Sequence, residues 1–116
     1  MKKVNILGTT YKVYLNVPCA SDPSLAGAFG YTDFHSKKIV VADVRTIPGW
    51  ETADDVAALD TFACTVRHEV IHAYLMESGL NSSANGVDCW ARNEEMVDWF
   101  AIQAPKLMNT FSKLGV

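Results

Sequence analysis

The chain has 116 residues, 49% of them hydrophobic and 20% charged, a size and balance that fit one soluble globular domain over residues 1–116. A net charge of −3 gives no electrostatic ground for binding nucleic acid or an anionic membrane, and no apolar run approaches a membrane span. Lys2-Lys3 precede only four residues before Gly8, too few for a signal-peptide core, and three cysteines (Cys19, Cys64, Cys89) cannot all pair, so a reduced cytoplasmic setting is expected.

In chain order, Val4, Ile6, Tyr11, Val13 and Leu15 alternate with polar residues around Gly8, which predicts a β-hairpin turning at that glycine. Pro18 to Gly27 is rich in turn formers and reads as a loop. A second extended pair is expected over Ala28 to Asp33 and Lys38 to Ala42, joined by a turn through Phe34-His35-Ser36-Lys37. Ile39-Val40-Val41 suits a buried strand. After a loop at Pro48-Gly49, Thr52 is the expected N-cap of a long helix with Asp54 and Asp55 at its positive end. Val56, Leu59, Phe62, Ala63, Val66, Val70 and Ala73 form its apolar stripe, and Ser78-Gly79 should end it. Asn81 to Gly86 reads as a polar loop. A second helix is expected from Val87 or Asp88 to Ala104, closed by Pro105, with a short terminal helix over Lys106 to Lys113.

The first helix carries His68-Glu69-Val70-Ile71-His72. Residues four apart on a helix share one face, so both imidazoles can reach one metal ion. Glu69 projects to the side, where its carboxylate can take a proton from a water rather than bind the metal. Zinc with an open coordination position lowers the pKa of such a water to roughly 7, which predicts a zinc-dependent hydrolase, most simply a peptidase. The plainer alternative is an amphipathic helix with two solvent-facing histidines.

A catalytic zinc needs a third protein ligand. On the second helix Glu94 and Asp98 are four apart, so Glu94 can supply the ligand while Asp98 accepts a ring N–H from a zinc-bound histidine. Glu95 points about 100° away and leaves Asp98 without a partner on its face. A solvated acidic face is the competing reading, but two helices joined by a short loop lie side by side, near the first motif.

His68-Glu69-x-x-His72 followed by Asn93-Glu94-x-x-x-Asp98 resembles the thermolysin-type zinc peptidases, the gluzincins. The resemblance implies one Zn2+ per chain bound by His68, His72 and Glu94, with Glu69 as base and Asp98 orienting a histidine, His68 by analogy. More broadly the chain is similar to short metallopeptidase-like proteins of phages and prophages. These pair a small antiparallel N-terminal sheet with an active-site helix and a second C-terminal helix, an α+β, minimal zincin-like fold. That implies the cytoplasm of a phage-infected or lysogenic host, a protein or peptide substrate, and no nucleic-acid or membrane partner. It also implies that the strand nearest the active helix offers its edge to an extended substrate, for which Lys38 to Ala42 is the expected strand. Gluzincins place a His or Tyr downstream of the ligand glutamate to stabilise the oxyanion. No His or Tyr follows Tyr74 here, which leaves Tyr31, His35 or Arg92 as substitutes.

Cys64, one turn before His68, is a further residue able to approach the metal, although small buried cysteines are common. Trp50, Trp90 and Trp99 read as core and rim packing, and Arg67 and Arg92 as helix-surface charges able to meet a substrate carboxylate. Two other functions stand beside the peptidase. One is a non-catalytic module in which zinc ties the helices together, for which Glu69 would have no use. The other is a zinc hydrolase acting on a non-peptide amide.

Overall fold

The computed structural model describes residues 1–81 and 89–116. It is α+β, with four strands followed by two helices. Strands β1 (Lys2–Ile6) and β2 (Thr9–Val17) form the expected hairpin. Its two-residue turn places Leu7 at φ 49° and Gly8 at φ 91°, the left-handed pair that matches the twist of flanking strands. Strands β3 (Gly30–Asp33) and β4 (Lys38–Ala42) pair antiparallel, and the Asp33 carboxylate caps their turn by accepting the amides of His35 and Ser36.

The sheet order is β1-β2-β4-β3, with β2 and β4 parallel. The sheet is therefore mixed rather than purely antiparallel, and β4 lies inside it rather than at an edge. The apolar run Ile39-Val40-Val41 accounts for this. Its side chains alternate between two faces and both are covered, as in strands buried within parallel sheets. Ile39 and Val41 join Ile6, Tyr11 and Val13 beneath the first helix, while Val40 and Ala42 pack with Leu25 and Ile47 on the far face. The exposed edge on that side of the sheet belongs to β3.

Helix α1 (Asp55–Glu77) begins two residues later than the Thr52 cap predicts, because Asp54 accepts the Ala57 amide at 2.8 Å. Its stripe packs through Phe62, Val66, Val70 and Ala73. Val56 and Leu59, expected to face inward, are 79% and 67% exposed. The helix ends as expected: Gly79 is left-handed, its amide donates to Met76 O, and the Leu80 amide donates to Leu75 O. Glu77 binds Thr9, Tyr11 and Lys37 and so fastens this end to both hairpins.

The loop expected over Asn81 to Gly86 and the helix start expected at Val87 or Asp88 fall largely outside the described residues. Trp90–Arg92 is a 3-10 turn, and α2 runs Glu94–Leu114. Asn93 caps α2 by accepting the Met96 amide, and Glu94 and Glu95 favour the positive end of the helix. Pro105 does not close it. An interior proline removes one backbone bond and costs about 3 kcal/mol or more. Here the Ala101 carbonyl, which residue 105 cannot serve, accepts Arg67 Nε at 2.6 Å instead. No described helix is long and apolar enough to cross a membrane.

Candidate metal centre

α1 sets His68 and His72 one turn apart, and α2 lies beside them, so both elements aim side chains at one point. His68 Nε2 and His72 Nε2 are 3.0 Å apart. Glu94 completes a triangle, with Oε2 3.0 Å from His68 Nε2 and Oε1 3.1 Å from His72 Nε2. Among the described residues these three are the one group of His, Cys, Asp and Glu side chains whose ligand atoms converge on a possible ion. Glu95 lines a separate hollow with Met96, Trp99 and Ile102.

The ring nitrogens facing away from the triangle decide what it can hold. His72 Nδ1 lies 2.6 Å from Ala91 O, and a carbonyl only accepts, so this nitrogen carries the proton. His68 Nδ1 lies 2.7 Å from Asp98 Oδ1, which likewise takes a ring N–H. In the neutral imidazoles both Nε2 atoms then present lone pairs to each other and to a carboxylate. Three acceptors drawn together this way repel unless a cation lies among them. Tetrahedral zinc at about 2.0–2.2 Å from N and O ligands sets neighbouring ligand atoms roughly 3.3 Å apart, close to the separations here. The donor set fits zinc, and the ring N–H contacts are those that orient ligand histidines.

Glu69 is buried beside this triangle, with Oε1 4.0 Å from His68 Nε2, too far to be a ligand of the same set. Thr32 Oγ1 lies 2.8 Å from Glu69 Oε2 and 2.8 Å from Glu69 O, and its single proton serves one of them at a time. Burial pushes the Glu69 carboxyl above the ordinary carboxylate value and the Glu94 carboxylate adds to this, while the Thr32 hydroxyl and any positive charge on the two imidazoles pull the other way. The balance favours proton uptake.

Two hollows meet at His68, Glu69 and Gly30. One of about 230 Å³ is walled by Phe29, Cys64, Thr65 and Asp98. The other, about 350 Å³, reaches Tyr31, Thr32, His72, Met76, Arg92 and Glu94. Cys64 thus borders the site without joining the converging ligand atoms. Of the three candidate oxyanion stabilisers, Arg92 and Tyr31 border this space; Arg92 Nε donates to Asn81 Oδ1, and no other bond of its guanidinium is formed among the described residues. The Tyr31 hydroxyl donates to Asp22 and its ring packs in the far-face cluster, while His35 sits in the β3–β4 turn and lines neither hollow. Trp50 packs edge-on against Phe29, whereas Trp90 and Trp99 are largely exposed.

Three contributors lie outside the residues to which the sequence assigns a role. Gly30 permits β3 to approach α1, Thr32 holds Glu69, and the Ala91 carbonyl holds His72. A glycine inside a strand signals a close backbone approach, so Gly30 was readable. The others depend on tertiary placement. No family model, curated protein or solved structure matches the chain.

Proposed function

We propose that this chain is a zinc-dependent hydrolase, acting as a peptidase of the minimal gluzincin type on a protein or peptide. The carrying observation is the convergence of His68, His72 and Glu94 with a buried carboxylate, Glu69, standing 4.0 Å from the nearest ligand nitrogen. Zinc, when bound, acts as a Lewis acid and brings the pKa of a water near neutrality. His68, His72 and Glu94 hold the ion, and Asp98 and the Ala91 carbonyl keep the two rings in the binding tautomer. Glu69 Oε1 takes the water's proton as the substrate carbonyl is attacked and delivers it to the departing nitrogen. Thr32 keeps the opposite oxygen fixed, and Arg92 faces the charge that develops on the carbonyl oxygen.

An extended substrate pairs with the free edge of β3, in place of the Lys38 to Ala42 strand, because β4 is hydrogen-bonded on both sides. The working environment is the cytoplasm of a phage-infected or lysogenic host. Nucleic acid and membrane play no part.

The test is cleavage of a mixed peptide library in zinc, followed by mass spectrometry, for the wild type and Glu69→Gln. Both proteins should bind zinc and only the wild type should cut, since an amide cannot accept the proton. Cutting by Glu69→Gln at the parental rate removes Glu69 as base. Zinc binding by both with no cutting by either favours the non-catalytic zinc module.

A further inference from the structure

We infer that Arg67 is a positioning residue that sets the register of α2 on α1, using the backbone carbonyl that Pro105 leaves open. The inference rests on the metal centre proposed above and concerns how its two halves are held together.

The ligands come from two helices, and one residue of sliding along a helix is 1.5 Å. A shift of that size would carry Glu94 out of reach of one of the two Nε2 atoms it now meets at 3.0 and 3.1 Å. Asp98 also depends on the register, since it must meet His68 Nδ1 at 2.7 Å. These contacts all run through the centre itself. Arg67 Nε to Ala101 O, at 2.6 Å, does not. It begins one residue before His68 on α1 and ends one helical turn beyond Asp98 on α2.

Its acceptor is set apart by chemistry. In a regular helix the Ala101 carbonyl would receive the amide of residue 105, but proline has no N–H. Ala101 therefore offers a fixed, directional acceptor at one place along α2, and a planar guanidinium with a defined Nε–H direction reads it. Pro105 marks the position and Arg67 registers against it.

Three substitutions separate positioning from simple satisfaction of the carbonyl. Glutamine carries an N–H on the atom bonded to Cδ, the same place as Arg Nε, whereas methionine has similar length and no donor. Pro105→Ala returns an intrahelical N–H to Ala101 O. Zinc affinity and thermal stability are measured for the whole chain as wild type, Arg67→Met, Arg67→Gln and the double variant Arg67→Met/Pro105→Ala. Arg67→Met should weaken zinc binding on the order of tenfold, at the low end for groups that hold metal ligands in place. Arg67→Gln should bind zinc nearly as tightly as the wild type, because the donor is retained. The double variant should regain thermal stability while its zinc affinity stays low. Zinc affinity that recovers together with stability, or is unchanged in Arg67→Met, overturns the positioning role. A wild type that takes up no zinc instead removes the metal centre on which the inference rests.

Discussion

Gly30→Ala probes how closely β3 is pressed against α1. A Cβ at this position would stand 2.9 Å from Val40 O, 3.0 Å from Thr65 Cγ2 and 3.2 Å from Glu69 Cγ. Carbon contacts are comfortable at about 3.5–4.0 Å, so all three are tight. Neither of the closer two can yield cheaply: Val40 O is backbone in the central strand, and the Thr65 rotamer is held by its hydroxyl donating to Thr61 O. The strand must back away, which stretches the Thr32–Glu69 contact. Overpacking of this kind costs about 1–3 kcal/mol. The stiffer unfolded chain of the alanine variant offsets roughly 0.4–1 kcal/mol of that. The crowding wins, leaving a net loss of about 1–2 kcal/mol, or a drop in Tm of about 4–8 °C for a domain of this size. Thermal unfolding followed by circular dichroism reads this directly. An alanine variant that melts at or above the wild-type temperature refutes the close approach.

Glu94→Ala should weaken zinc binding more than about 100-fold, beyond the loss for a group that merely holds a ligand, while Glu95→Ala should change it little. A zinc titration in which Glu95→Ala is the weaker binder places the α2 register one residue out. Away from the metal, the Lys37 ammonium, and then the Tyr11 and Thr9 hydroxyls, hold the Glu77 carboxyl below its ordinary value. A carboxylate depressed in the folded state stabilises it above the unfolded pKa and loses that contribution as pH falls through the lower folded value. Glu77→Gln should therefore melt below the wild type at neutral pH, with the gap closing under strongly acidic conditions. An equal gap across that range would show that the Glu77 charge contributes nothing.

The elements that depend on local chemistry were legible. The Gly8 turn, the Gly79 helix stop and the four-residue spacings of His68 with His72 and Glu94 with Asp98 each follow from the geometry of one element. Errors arose where distant segments decide. Pro105 reads as a helix end until Arg67, 34 residues before Ala101, is seen to serve the Ala101 carbonyl that the proline leaves open. The place of β4 inside the sheet depends on its parallel pairing with β2, which no local pattern announces, although its unbroken apolar run hinted at cover on both faces. The start of α2 at Glu94 lies later than the sequence suggests for a different reason. Asn93-Glu94-Glu95 is itself an N-cap followed by acidic residues, and the apolar residues before it drew the boundary too early. Val56 and Leu59 continue the α1 stripe in sequence but remain exposed.

We propose that His68, His72 and Glu94 together hold one zinc ion per chain. Metal analysis of the purified, zinc-exchanged wild type alongside His68→Ala and His72→Ala tests it most directly. The wild type should carry one zinc per chain, and each variant should lose most of it. A wild type that retains no zinc, or unchanged stoichiometry in both variants, would contradict it.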